Sequence, residues 1–397
     1  MHTLLVISSA PASLVDGKLF LDVKFVEGMR FYADLWDGPV SCILKLRAGP
    51  FPFGKVYDVS ALPFEIKLLP ATKYIGADDV GAADIVLAGG DNHEYLHLGP
   101  VCETANAKLV YIIENIPETR RQIIFLARDR SFPKKVYSLL WTMRQEAKRR
   151  KAFRQADGIQ ANGYPAFLQY NPLNRNTIMY LDNRLSEEIF ATQNEMEERL
   201  ARLKSDAPVR LVHSGRLEAL KGSQDLIPIA WHLDSKNVDF TLDIFGTGSL
   251  EGEIREGILK HSLQKKVRLR GVVDFESELV PFVRAHADIY LSCHRQSDPS
   301  CTYIENMGCG VAVVGYDNRM WSALCQESGG GWVVPLGKPE KAADAIAEAI
   351  FNRPLLAERC KAAQLFAQRH SFENEFRRRI AHLNSSMQSL VIGQDYE

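Results

Sequence analysis

The sequence predicts an α/β protein made of two doubly wound domains, and three observations lead there. Short apolar runs alternate with longer amphipathic stretches from one end of the chain to the other, the pattern of a parallel sheet with helices on both faces. The alternation occurs twice. The 397 residues are also too many for one ordinary core and suit two of roughly 180–200 residues each.

In the first half, strands are predicted at residues 4–8, 40–44, 64–69, 84–87, 109–113, 158–161 and 177–181. In the second half they fall at residues 209–214, 238–245, 267–269, 289–292, 311–314 and 331–334, with helices predicted over 223–233, 250–261, 277–286 and 338–351. A polar helix over 195–204 ends at Ser205-Asp206-Ala207-Pro208, since proline cannot continue it, and this places the domain break near residue 205. The expected division is thus a first Rossmann-like domain over 1–205, a second over 206–369, and a tail over 370–397. The tail opens with an amphipathic helix carrying Phe372, Phe376, Ile380 and Leu383 at helical spacing.

Composition narrows the function classes. Hydrophobic residues are 46% and charged residues 24%, ordinary for a globular protein. A net charge of −1 gives the chain no overall bias toward nucleic acid. The seven cysteines include no C-x-x-C pair, and their odd number speaks against a disulfide framework and for a reducing cytosol. Cys293, Cys301 and Cys309 lie close to His294, but their spacing fits no common zinc pattern, and buried thiols are the expected reading. The N-terminal apolar run is too short for a signal peptide, and no run of ~18 uncharged apolar residues suggests a membrane span.

Three segments carry chemistry. In Gly215-Arg216-Leu217-Glu218-Ala219-Leu220-Lys221-Gly222 a strand ends at a glycine, and two cations leave the following loop. Ligands of doubly wound sheets bind beyond the carboxyl ends of the strands, so Arg216 and Lys221 could hold a diphosphate there, or they could be ordinary solvated cations. The segment from Ser297 to Gly310 reads as a loop followed by a helix starting near Cys301. There Thr302 could add a hydroxyl. Glu305, about one turn in, suits a ribose diol better than a phosphate, unless it only complements the helix dipole. Ile244-Phe245-Gly246-Thr247-Gly248 is a strand entering a G-x-G turn, a pattern that tight turning alone explains.

Taken in order, these segments resemble the retaining glycosyltransferases of family 4, which have the GT-B fold. The resemblance rests on Gly215–Gly222, Gly246–Gly248, the strand ending Arg270-Gly271, the run from Asp298 to Gly310, and Ser328–Pro335, and it covers residues 209–370. It implies that Arg216 and Lys221 bind the donor diphosphate and that Glu305 binds the nucleotide ribose. It implies further that Cys301 and Thr302 offer backbone amides to the donor phosphate, and that Arg270, Gly271 and Val272 lie near the base. The first glutamate of the family's E-x7-E motif is replaced by Ser297, with Asp298 or Gln296 placed to substitute after a small loop shift. In the first half the likeness is weaker. It points to Gly17 as a glycine loop after the first strand, and to Glu114 or His93 as groups near the reacting centre, against structural roles for both. A C-terminal helix crossing back to the first domain is also implied.

The implied reaction is sugar transfer, with hexose the expected sugar, from a nucleotide-sugar with retention, without metal or other cofactor. Arg216 and Lys221 would stabilise the departing diphosphate. Between Arg128 and Arg154, ten basic residues with Leu139, Leu140, Trp141, Met143 and Phe153 interleaved read as a basic amphipathic segment, or as an ordinary helix with a solvated face. It suits an anionic membrane surface and a lipid-linked or oligosaccharide acceptor of polysaccharide or exopolysaccharide synthesis, which would place the protein in the cytoplasm at the inner face of the membrane. Nucleic acid is not an expected partner. The alternatives are a GT-B-like scaffold subunit without catalysis, suggested by Ser297, and a sugar phosphorylase or nucleotide-sugar epimerase on the same fold.

Overall fold

A computed structural model describes residues 1–51, 54–126 and 131–388. The chain divides by packing into two units: residues 1–117, 136–180 and 375 onward, and residues 118–135 and 181–374.

The first unit is built on a seven-stranded parallel sheet. Its strands are numbered with those of a small second sheet: β1 (Leu4–Ile7), β2 (Ala12–Val15), β3 (Lys18–Asp22), β4 (Val40–Lys45), β5 (Gly54–Tyr57), β6 (Glu65–Leu69), β7 (Ile85–Gly89), β8 (Lys108–Ile113), β9 (Gly158–Asn162) and β10 (Thr177–Tyr180). The large sheet has the order β10-β9-β8-β7-β1-β4-β6. All four residues of β1 are buried, as befits a central strand covered on both faces. The order reverses between β1 and β7, which makes their carboxyl ends the ligand crevice of this unit.

The second unit holds a six-stranded parallel sheet of β11 (Val209–Ser214), β12 (Phe240–Phe245), β13 (Val267–Gly271), β14 (Ile289–Ser292), β15 (Ala312–Tyr316) and β16 (Gly331–Val334), in the order β13-β12-β11-β14-β15-β16. Its reversal falls between β11 and β14, where Leu211 pairs with Ile289 and Val212 with Tyr290. Helices Leu226–Ser235 and Pro339–Phe351 close one core layer with Ile229, Leu233, Ala343 and Ile346.

Every predicted strand forms, with ends shifted by at most two residues. Besides helices that the sequence reading did not place, such as Val23–Leu35 and Arg319–Ser328, three further features lie outside it. The first is the antiparallel sheet β2-β3-β5, whose short half-exposed strands lack a continuous apolar run. The second is a helix over Arg353–Arg369. The third is the packing of residues 181–205: Ala191, Met196 and Leu203 join the core of the second unit, so the helix Gln193–Arg202 precedes the break read at 205 yet packs beyond it. The tail helix forms as Phe372–Gln388 and belongs to the first unit from Glu375 on. There Arg379 donates to Gln160 Oε1 (2.9 Å), and its guanidinium lies over Tyr180, Phe376 and Tyr32.

Candidate donor site

The crevice between β11 and β14 is closed in by its own backbone. Gly215 N donates to Phe245 O, Leu217 N to Thr247 O, and Gly246 N to Gly271 O, so backbone hydrogen bonds tie together the loops after β11, β12 and β13. The glycines make the approach possible. At Gly246 (φ +118) a Cβ would lie 1.9 Å from Gly215 O, and at Gly222 (φ +69) it would lie 1.8 Å from Cys293 O. Glu218 fastens the G-x-G turn by accepting from Ser249 N (2.9 Å) and Ser249 Oγ (2.6 Å).

Four ion pairs surround the crevice. Lys221, buried at the end of the β11 loop, donates to Asp298 Oδ2 at 2.7 Å. Arg295 holds Asp225 at 2.7 Å, and Arg270 holds Asp243 at 2.7 Å. Glu305, buried in the first turn of the helix Thr302–Gly308, accepts from Arg184 through both oxygens: Nε to Oε1 at 2.9 Å and Nη2 to Oε2 at 3.2 Å. Arg216 is exposed at the rim.

The segment after β14 is polar yet buried. Asp298 Oδ1, Gln296 Oε1, Ser292 Oγ, His294 Nδ1 and His213 Nε2 have no hydrogen-bond partner among the described residues. Ser297 is turned the other way. Its hydroxyl accepts from Arg319 N (3.2 Å), its N–H donates to Gln122 (3.2 Å), and its carbonyl accepts from Thr119 (3.3 Å). Cys301 and Thr302 begin the helix, and the Thr302 hydroxyl shares a hydrogen bond with Ser300 (3.0 Å). Val272 follows the β13 end and is 70% exposed. Burial drives the His213 imidazole down to about 4, with Lys221 adding to the shift against the hydrogen bond to Leu291 O. His294 is pushed well below its ordinary value by burial, then by Lys221 and His213. Cys293 and Cys309 are buried thiols raised by burial. Among the described residues no group of three or more His, Cys, Asp or Glu could hold a metal ion.

In the second unit the structure therefore brings together Arg216, Lys221, Asp298, Cys301, Thr302 and Glu305 around one sheet reversal, with Arg270, Gly271 and Val272 at the neighbouring strand end. Glu114, His93 and Gly17 belong to the first unit. Asp91 ties the strand ends there by accepting from Glu114 N (2.9 Å) and Asn115 N (3.1 Å), and the Glu114 carboxylate accepts from Asn162 (3.4 Å). His93 follows β7 and stands edge-on to Trp141, with ring centroids 4.9 Å apart. It lines a groove of about 640 Å³ with Lys45, Tyr74, His97, Lys148 and Lys151. Gly17 lies at the tip of the β2–β3 hairpin, where Asp16 (φ 50) and Gly17 (φ 73) form the two-residue turn, rather than in the connection leaving β1.

Two participants carry no sequence signal. Arg184 stands in an aperiodic connection after β10. The helix Pro117–Leu126 meets the segment after β14 through Thr119 and Gln122, and Glu118 pairs with Arg319 at 2.8 Å. A separate hollow of about 780 Å³, lined by Leu203, Asn237 and Phe351 among others, lies at the amino ends of β11 and β12, away from these groups.

This architecture defines the class: two Rossmann-like parallel sheets, the GT-B fold of glycosyltransferases. Residues 195–365 match the family described as glycosyl transferases group 1. Among curated proteins, the chain resembles the GtfA subunits of UDP-N-acetylglucosamine–peptide N-acetylglucosaminyltransferase. That of Streptococcus gordonii is 25% identical over 130 residues, 32% of this chain and 25% of that protein. That of Streptococcus pneumoniae is 22% identical over 129 residues, again 32% and 25%. The match thus spans about a quarter of the length of the curated relatives. Among solved structures, Anabaena HepE in complex with UDP superposes with a TM-score of 0.65 at 15% identity, covering 97% of this chain and 100% of that one. WaaG, a glycosyltransferase involved in lipopolysaccharide biosynthesis, gives 0.60 at 11% identity, covering 96% and 99%.

Proposed function

We propose that this chain transfers a sugar, hexose by expectation, from a nucleotide-sugar with retention and without a metal or other cofactor, taking the donor at the β11/β14 crevice. One observation carries the reading: a buried lysine at the sheet reversal faces a carboxylate whose second oxygen is buried and has no hydrogen-bond partner among the described residues. Lys221 and Arg216 supply the positive charge that holds a diphosphate and stabilises it as it leaves, beside the Cys301–Thr302 turn. Glu305 takes the ribose diol, and Arg270 to Val272 border the base. Asp298, with Gln296 beside it, takes over the sugar contact at which Ser297 replaces a glutamate, since the Ser297 hydroxyl is committed to Arg319 N. The acceptor hydroxyl attacks from the face the diphosphate leaves, and the departing phosphate takes its proton. UDP is the first donor nucleotide to test, because HepE has been solved with UDP and with UDP-glucose.

The acceptor belongs to the first unit in this reading, with His93 in the lysine-lined groove and Glu114 at the β8 end. Arg128 and Arg130 of the basic segment lie outside the described residues. The remainder forms the helix Phe132–Gln155, which exposes Phe132, Val136, Tyr137, Leu140, Trp141 and Met143 beside Lys134, Lys135, Arg144, Lys148 and Lys151. No helix among the described residues is long and apolar enough to cross a membrane. An apolar face flanked by cations fits an anionic bilayer surface and a lipid-linked acceptor of polysaccharide synthesis, at the inner face of the cell membrane.

The test is turnover by the purified full chain. UDP-, GDP- and dTDP-sugars are screened by thermal shift, and release of nucleotide from the stabilising donor is then followed with and without acceptor. Release that Lys221→Ala abolishes supports the reading. Donor binding without turnover by the wild type would favour the scaffold alternative, and transfer to inorganic phosphate the phosphorylase.

A further inference from the structure

Glu305 is not left to orient itself. Its carboxylate is gripped edge-on by the Arg184 fork, and the guanidinium lies flat on Phe275, its centre 3.6 Å from the ring centroid. The three groups come from distant parts of the second unit: the connection after β10, the turn after β13, and the helix after β14. An ionised carboxylate offers about four acceptor positions, and a two-point guanidinium contact occupies one on each oxygen. The remaining two, one per oxygen, are then fixed in direction. Two acceptors at that spacing suit the two hydroxyls of a vicinal diol.

We infer that Arg184 is a positioning residue for the nucleoside end of the donor, holding Glu305 so that both ribose hydroxyls meet an oriented acceptor. The inference rests on the donor-site reading above. It adds to it a source of discrimination between ribonucleotides and deoxyribonucleotides. The stack on Phe275 makes the arrangement stiff, because the guanidinium plane is held from its face while its edge holds the carboxylate. Arg184→Lys keeps a positive charge but neither the fork nor the flat contact, so charge and geometry can be separated.

The test compares binding of UDP with 2′-deoxy-UDP, and of GDP with 2′-deoxy-GDP, by calorimetry on the full chain. Wild type should prefer the ribo form of its nucleotide by roughly tenfold, the scale of one hydrogen bond to a charged group. Arg184→Ala should reduce that preference to about twofold or less, and Arg184→Lys should fall between. Combined with Glu305→Ala, Arg184→Ala should change the preference no further, as coupled residues require. A purely structural role would lower the melting temperature and leave the ratio alone, and an unchanged ratio in Arg184→Ala overturns the inference. Should that variant not fold, Arg184→Lys decides: a full wild-type ratio there overturns it, and a reduced one supports it. Failure of the wild type to bind any of the nucleotides removes the donor-site reading itself, and the inference with it.

Discussion

Lys221 and Asp298 meet at 2.7 Å although 77 residues separate them, one reaching from the loop after β11 and the other from the segment after β14. The pair cancels charge at the point where a diphosphate is proposed to sit, so an incoming donor competes with Asp298 for the lysine. Lys221→Ala should therefore weaken nucleotide diphosphate binding and lower kcat by roughly 100-fold or more, the scale of losing one donor aimed at developing charge. Asp298→Asn should leave nucleotide binding equal or tighter while impairing turnover. Calorimetry with the nucleotide and steady-state kinetics separate the two; equal losses of nucleotide affinity in both variants would contradict the assignment.

His213 ties stability to pH. Its folded-state value of about 4 lies below the ordinary imidazole value, so the unfolded chain binds the extra proton first as pH falls. The stabilisation from keeping it neutral is complete above about pH 6.5 and is lost between there and about pH 4, to a total of about 3 kcal/mol. Urea unfolding at pH 7.5 and pH 5 should show the loss. His213→Asn, which retains a donor for Leu291 O, should flatten the profile.

Gly222 and Gly271 make a matched pair, both left-handed (φ +69 and φ +74), but only Gly222 is crowded. Gly271→Ala should cost about 1–2 kcal/mol, the left-handed penalty alone. Gly222→Ala adds a Cβ at 1.8 Å from Cys293 O and should cost more, with a matching loss of nucleotide binding because the loop carrying Lys221 must move. Thermal unfolding and nucleotide titration of both variants provide the comparison; equal costs would mean that the close approach does not matter.

The exposed helix Phe132–Gln155 gives a fourth expectation. The full chain should co-sediment with vesicles containing phosphatidylglycerol and not with pure phosphatidylcholine, and binding should weaken as salt rises. Lys134→Glu with Arg144→Glu, two exposed cations outside the His93 groove, should reduce it while leaving turnover on a soluble acceptor measurable. Undiminished sedimentation of that double variant would place the contact elsewhere.

The sheet strands were legible because a buried parallel strand needs a continuous apolar run, and β1, β14 and β15 each have one. The end of the polar helix before the second sheet was legible because Pro208 cannot continue it, and the helix closes at Arg202. The glycine turns after β11 and β12 were readable for a different reason: Gly215, Gly222 and Gly246 answer local backbone demands that leave a fixed spacing in the sequence. Arg184 could not be found this way. Its importance depends on Phe275 and Glu305, far away along the chain, and an isolated arginine in a polar connection has no periodicity to betray it. The same holds for Ser297, whose position suggested a substrate contact but whose hydroxyl caps the helix Arg319–Ser328. Gly17 looked like a strand-end loop because β2 and β3 are too short and too exposed to announce a hairpin.

The helix Phe372–Gln388 has a consequence for synthesis. Gln160 exchanges hydrogen bonds with Arg379, so a buried amide in β9 finds its partner more than two hundred residues later. On the ribosome, the amino-terminal unit gains its last helix only after residues 181–374 of the other unit have been made. Vectorial emergence is thereby inverted: the half translated first is the half completed last.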